Sequence, residues 1–402
     1  MAESDAFRKE TRGWLEANAP ESLKGVHMGE AGGFWGGRRP VWQHPDQKPW
    51  LEMCAERGLT CPSWPTEYGG AGLSRKEAQA WREELRRMAL PRPLVGIGPS
   101  MIGPAILRFA TEEQKQQHLP ALARGEIRWC QGYSEPDAGS DLASLSTRAV
   151  RDGDDFIITG QKVWTTYGDL SDWIFALVRD DPKPSVKQEG ITFILIDMES
   201  PGVSVAPIKL ISGKSPFCET RFEEVRVPIA NVIGEIGAGW TVAKALLGHE
   251  REMAAEAFGT GVATKKAKQG SALRAAALKY IGADGDVLRD RALRHEIAQN
   301  EMDTQAYKLS VQRSRDAARA KRQPGPESSM FKLYGSEVNQ RRLELLTRIA
   351  GPQGLGWEGP GFDEDELTQL RTWLHSFGNT IEGGTSEINR NIIAKRVLHL
   401  PD

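Results

Sequence analysis

Several things are scarce in this sequence, and each scarcity excludes a class of protein. There are four cysteines in 402 residues, and Cys54, Cys61, Cys130 and Cys218 form no CxxC pair and no Cys/His spacing suited to zinc. A disulfide-stapled scaffold and a zinc module both drop out, no metal is expected, and a reduced, intracellular chain is the simpler reading. Nowhere do about 18 apolar residues run together, as a membrane-spanning helix requires. The opening stretch, MAESDAFRKETRGWLEANAP, mixes acids and bases on a helical pattern and lacks the apolar core of a signal peptide, so a soluble, untargeted, cytoplasmic chain is expected. Charge of one sign is lacking too. Lys and Arg number 52 against 54 Asp and Glu, a formal net charge of −2, and no overall field draws the chain to nucleic acid or to an anionic membrane.

Familiar signatures are also missing. Gly213-Lys214-Ser215 looks like the end of a phosphate loop, but Ile208 stands where its first glycine belongs. Gly234, Gly237 and Gly239 precede a helical pattern at the wrong spacing for a dinucleotide fingerprint and follow no βαβ pattern. No GxSxG elbow occurs, which removes the main support for a hydrolase.

What is present divides the chain in three, and 402 residues suffice for more than one domain. Residues 1–127 read as helices between Gly- and Pro-rich loops, with capping boxes at Ser74-x-x-Glu77 and Thr111-x-x-Gln114. Within them GGFWGGRRPVWQHPDQKP (32–49) fits neither helix nor strand period and reads as a loop excursion. Residues 128–235 shift to short β-branched and aromatic runs, FIITG, DWIFALV, ITFILIDM, VSVAPI and TRFEEVRVP, which read as antiparallel strands forming a sheet or small barrel. Asp152-Gly153-Asp154-Asp155 marks a hairpin between two of them. Residues 236–402 return to the helical period, with Trp240–Lys279 as one or two long helices and an inter-helix break at QPGPES (323–328). The fold class is α+β in the order α, β, α.

Four segments carry more than secondary structure: PSWPTEYGGAGLS (62–74), CQGYSEPDAGSDLASLSTRA (130–149), GQKVWTTYGDLSDW (160–173) and IEGGTSEINRNIIAKRVLHLP (381–401). With FEEVRVPIANVIGEIGAGW (222–240) and GPQGLG (351–356) between them, they resemble the acyl-CoA dehydrogenase family in order and spacing over nearly the whole chain. The resemblance implies an N-terminal helical domain, a middle β domain and a C-terminal helical bundle, with FAD as cofactor. It implies that Tyr133 and Ser134 lie beside the pyrimidine side of the flavin, that Trp164 stacks on it and that Thr166 donates towards N5. Ser140 is implied near the CoA chain and Arg251 at the substrate. Arg348, Gly351, Thr385 and Glu387 are implied cofactor contacts. Taken singly, Trp164 and the Ser and Thr residues read more readily as ordinary packing, turn or strand residues, and it is their joint occurrence that points to a flavin.

The implied reaction removes an α-proton from an acyl-CoA thioester while the β-hydrogen leaves as hydride, so a shielded carboxylate is needed. Many family members carry it just before Gly-Thr-Ser in the last segment, where this chain has Gly383. A second family pattern places Glu directly before Arg on a helix, and Glu250-Arg251 matches it. Ala243, Leu246, Leu247 and Glu250 fall at i, i+3, i+4 and i+7, setting that carboxylate on an apolar stripe where desolvation raises its pKa. The alternative is a Glu paired with a cation that holds two helices together. By resemblance the backbone N–H of Gly383 polarises the thioester carbonyl. The family's Arg-x-x-Phe-Gly element, which reaches the FAD diphosphate, is absent from LKYIGADGDVLRDRALRHEIAQ (278–299), leaving Arg289, Arg291, another local cation or a related subunit to supply the contact. The expected partners are an acyl-CoA, an electron-transfer flavoprotein, and further subunits in a homo-oligomer (dimer or tetramer) or a heteromer. A half-site subunit without catalysis of its own, or an oxidase or monooxygenase of the same fold, are the rival readings.

Overall fold

The computed structural model describes residues 2–26, 36–181, 184–246, 272–285, 287–319, 326 and 328–401. The chain divides into two compact units, Met1–Ile208 with Pro216–Leu246, and Lys209–Ser215 with Leu247–Asp402.

The first unit begins with helices α1 (Ala2–Asn18), α2 (Gln47–Glu56), α3 (Arg75–Arg87), α4 (Gly103–Phe109) and α5 (Glu112–Ala123). Both expected capping boxes are formed: Ser74 and Glu77 cap α3, and Thr111 and Gln114 cap α5, each pair exchanging side-chain and backbone hydrogen bonds. Leu15, Leu23, Trp50, Cys54, Trp81 and Leu85 make the local core, with Trp14 stacked 6.0 Å from Trp50. At the edge of that core, buried Glu84 of α3 takes Arg12 at 3.0 and 3.1 Å, Arg8 at 3.3 Å and Arg87 at 2.7 Å. Hydrogen bonds from Arg12, outweighing burial, hold its carboxyl down to about 2.

The 32–49 excursion differs from its reading at one end. Residues 47–49 already belong to α2, because Pro49 sits in the first helical turn, where its missing N–H has no intrahelical acceptor. Residues 36–46 are irregular and serve as a strap onto the β sheet. Gly37 N–H donates to Gly125 O at 3.0 Å, Arg38 N–H to Asp172 Oδ2 at 3.0 Å, and the Arg38 guanidinium grips Asp197 at 2.7 and 2.9 Å.

The sheet has seven strands: β1 (Trp129–Gly132), β2 (Arg148–Asp152), β3 (Asp155–Thr166), β4 (Trp173–Arg179), β5 (Ile191–Asp197), β6 (Val203–Ile208) and β7 (Phe217–Pro228). Its order is β1-β4-β2-β3-β7-β6, with β5 also on β4. β2 and β3 form the predicted hairpin, Asp152 opposite Asp155. The purely antiparallel expectation needs correction, since β1 runs parallel to β4 with Trp129 beside Trp173. A parallel pair requires a long crossover, and the 40 positions between Gly132 and Trp173, hairpin included, provide it. The inward face carries Ile158, Ile174, Ala176, Val178, Ile194, Phe222 and Val225 as a continuous core. A further helix, α6 (239–246), closes the unit, and Ala243 and Leu246, the first two members of the predicted apolar stripe, are fully buried.

The second unit contains α7 (Ala272–Tyr280), a two-residue hairpin β8 (Ala283–Asp284) and β9 (Val287–Leu288), then α8 (Arg291–Arg319), α9 (Ser328–Ala350), α10 (Glu364–Ser376) and α11 (Ser386–Ile392). α8 and α9 lie on either side of the predicted QPGPES break. Leu273, Ala277, Ile297, Leu343, Leu346 and Ile349 pack where α7, α8 and α9 meet. No described helix is long and apolar enough to cross a membrane.

Candidate active site

The first cluster of site residues is built by an irregularity in β3. That strand shifts register against β7 between Lys162 and Thr165, and Trp164 there adopts φ +63°. A left-handed backbone costs a non-glycine residue on the order of 1–2 kcal/mol, and bulges of this kind re-aim a side chain. Lys162 and Thr165, on either side, are entirely buried, whereas Trp164 is 52% exposed, its indole standing edge-on to Phe217 at 5.9 Å. Bonds around the bulge offset its cost. Thr165 Oγ1 donates to Cys218 O at 2.8 Å and lies 2.9 Å from Thr220 Oγ1, and Val163 N–H donates to Ser134 O at 2.9 Å.

Beneath the bulge lies an ion pair that reading the sequence missed. Lys162 Nζ is 2.7 Å from Glu135 Oε1 and donates to Tyr133 O at 3.1 Å. Glu135 also accepts from Ser146 N–H at 2.6 Å, Ser146 Oγ at 2.9 Å and Thr147 N–H at 2.9 Å. Burial alone would push the Glu135 carboxyl up, but the Lys162 ammonium and these donors hold it down to about 2. Burial draws the Lys162 ammonium down to about 8 against the pull of Glu135. The only signal for this pair was a lysine on a strand position whose neighbours alternate inward.

The Val163 N–H to Ser134 O bond sets Ser134 beside the end of β3 that carries Trp164 and Thr166. Ser134 and Thr166 are half-buried. Tyr133 is buried, its ring edge-on to Phe175 at 5.9 Å and Phe193 at 6.4 Å, so it is the backbone of this residue that joins the Lys162 network. Ser140 is exposed, next to Asp141, whose carboxylate meets Lys187 at 2.8 Å.

In the second unit, Gly383 and Gly384 have φ +63° and +95°. A side chain at either would be strained, which accounts for the paired glycines ahead of α11. Lys332 Nζ donates to Gly384 O at 2.6 Å and Asn389 Nδ2 to the same oxygen at 2.8 Å; neither contact was read from the sequence. No acceptor for the Gly383 N–H is found among the described residues. Thr385 caps α11, its hydroxyl accepting from Ile388 N–H at 3.2 Å, and Glu387 is exposed beside Arg390. Arg348, at the end of α9, meets Glu296 at 2.7 and 3.1 Å. Gly351 opens the following 3₁₀ turn in open space. Arg289 pairs with Asp284 of β8 at 3.0 Å. Glu250 and Arg251 lie outside the described residues.

Three family models cover the chain in turn: acyl-CoA dehydrogenase N-terminal domain over 37–126, middle domain over 130–225 and C-terminal domain over 237–398. Acyl-CoA dehydrogenase IpdE1 of Mycobacterium tuberculosis is 35% identical over 401 residues, spanning 100% of this chain and 99% of its own. Among solved structures, one titled Tcur3481-Tcur3483 steroid ACAD is 30% identical with a TM-score of 0.75, covering 100% of this chain and 98% of that one. The ChsE4-ChsE5 complex of Mycobacterium tuberculosis is 27% identical, with a TM-score of 0.72 and the same coverage.

Proposed function

The chain belongs to the acyl-CoA dehydrogenase family of flavoprotein oxidoreductases, and on that footing we propose that it carries out FAD-dependent α,β-dehydrogenation of an acyl-CoA thioester. The observation that carries the proposal is Trp164, a large aromatic held out to solvent by a bulge beside half-buried Ser134 and Thr166. An exposed flat wall next to a few polar groups fits a flavin ring. When bound, FAD supplies the acceptor for the β-hydrogen as hydride.

The remaining chemistry falls to the chain. Glu250 takes the α-proton, and the Gly383 N–H, without an acceptor among the described residues, donates to the thioester carbonyl as charge develops there. With a flavin bound, Trp164 would face its ring and Ser134 and Thr166 would supply polar atoms at its edge, while Tyr133 contributes backbone rather than its buried ring. Ser140 and Arg251 are assigned to the CoA and acyl portions, and Thr385, Glu387, Arg348 and Gly351 to the cofactor. An electron-transfer flavoprotein would accept the electrons. Four buried free thiols suit a reducing, cytoplasmic setting. On the likeness to the steroid enzyme, the acyl group is assigned to the bulky, steroid-derived class.

A heteromeric arrangement is the second reading. Arg289 is engaged by Asp284 of its own unit and Arg348 shares its guanidinium with Glu296, which leaves exposed Arg291 at the start of α8 or a related subunit to complete the cation set. A related subunit in that role is in keeping with the two-component names of the solved relatives; flavin retained only on co-expression would support it. The catalytic assignment is tested by Glu250→Gln, which should keep bound flavin and lose turnover. A Glu250→Gln variant that still reduces its flavin with substrate removes Glu250 from the base role.

A further inference from the structure

We propose that Glu135 and Lys162 form a positioning pair for Trp164: their buried ion pair ties the end of the 130–135 segment to the β3 bulge and so fixes where the indole wall stands. The inference rests on Trp164 facing the flavin for its functional consequence, but the geometry of the pair stands without it.

The connectivity is specific. Lys162, two residues before Trp164, bridges Tyr133 O at 3.1 Å and the Glu135 carboxylate at 2.7 Å. Glu135 is itself immobilised by Ser146 and Thr147, which lead directly into β2. Val163 N–H closes the link to Ser134 O at 2.9 Å. Thr165 fastens the other side of the bulge through Cys218 O and Thr220. Trp164 thus stands between Lys162, two residues before it, and Thr165, both completely buried with their polar ends engaged. What a lysine adds is simultaneous reach to a carbonyl on one segment and a carboxylate on the same segment's next turn, which sets the distance between Ser134 and Trp164. A misplacement of such a wall by a fraction of its thickness weakens every contact it makes with a planar ligand.

The test labels the protein with 5-fluorotryptophan, assigns the Trp164 line with Trp164→Phe, and compares wild type, Ser146→Ala, Glu135→Gln and the double variant Glu135→Gln/Lys162→Met. FAD affinity is measured on the same samples, with co-expressed partner subunit where flavin requires it. The double variant removes both charges together and is expected to recover stability; Ser146→Ala leaves the ion pair intact and guards against a failure to fold. The expected result is a displaced or broadened Trp164 line and roughly tenfold weaker FAD binding in the folded double variant, with a smaller displacement in Ser146→Ala. A folded double variant whose Trp164 line and FAD affinity both match wild type overturns the proposal. A displaced line with unchanged FAD affinity upholds the positioning but shows that the flavin does not use this wall, so failure of the functional reading is read separately.

Discussion

Two buried carboxylates, Glu84 in the helical part of the first unit and Glu135 in its β part, look alike in isolation and do different things. Both are nearly inaccessible and both are held down to about 2. Glu84 is held by three arginines whose side chains are 34–44% exposed, so its counter-charge is shared among three solvent-reaching partners. Glu135 is held by a lysine with no exposure and by backbone amides. The first joins α1 to α3; the second joins the 130–135 segment to β3, beneath the residue proposed to face the cofactor. Equal pKa depression therefore does not mark equal function, and the exposure of the counter-charge is the better discriminator.

The contrast can be broken most forcefully at Lys162. Lys162→Met strands a buried carboxylate and should cost about 3–5 kcal/mol, measured by urea unfolding, with most of it restored on adding Glu135→Gln. Glu84→Gln removes charge from a site whose arginines can turn to water, and the same measurement should show a loss of about 1–3 kcal/mol. Acid sharpens the likeness between the two. Each has a folded pKa below its ordinary value, so each contributes stability fully above about pH 4.5 and loses it as pH falls towards about 2; unfolding followed across that window should steepen for wild type and flatten for the Glu84→Gln variant. Salt separates them again. Arg87→Ala should cost no more than about 1 kcal/mol, and raising salt to about 1 M, where screening reaches about 3 Å, should shrink that difference while leaving the effect of Lys162→Met intact.

Much of the fold was readable because its determinants are local. The capping boxes at Ser74 and Thr111, the Asp152–Asp155 turn and the alternating strand runs each depend on residues a few positions apart. The parts not readable depend on distant ones. The strap at 36–46 has no period because its organising contacts are Gly125, Asp172 and Asp197. Lys162 reads as a polar residue in a strand until Glu135, 27 positions earlier, is seen beside it. The same holds for Lys332 and the Gly384 carbonyl, 52 positions apart. For the site, Trp164, Ser134 and Thr166 were legible only jointly, through family resemblance, since a tryptophan at the end of a strand pattern ordinarily packs inward. Its outward turn comes from a left-handed bulge that no local composition announces. The strand-rich middle also concealed the parallel pairing of β1 with β4, because periodicity fixes faces and not neighbours.

The central claim, that this chain serves flavin-dependent dehydrogenation of an acyl-CoA, is tested most directly by the visible spectrum of the flavin-loaded protein under anaerobic titration. Straight, branched, aromatic and steroid acyl-CoA thioesters would be added in turn, with any required partner subunit co-expressed. The account predicts that the flavin absorbance bleaches with the steroid class and that the matching α,β-unsaturated thioester accumulates in proportion. A stably bound flavin that none of these thioesters reduces would contradict it.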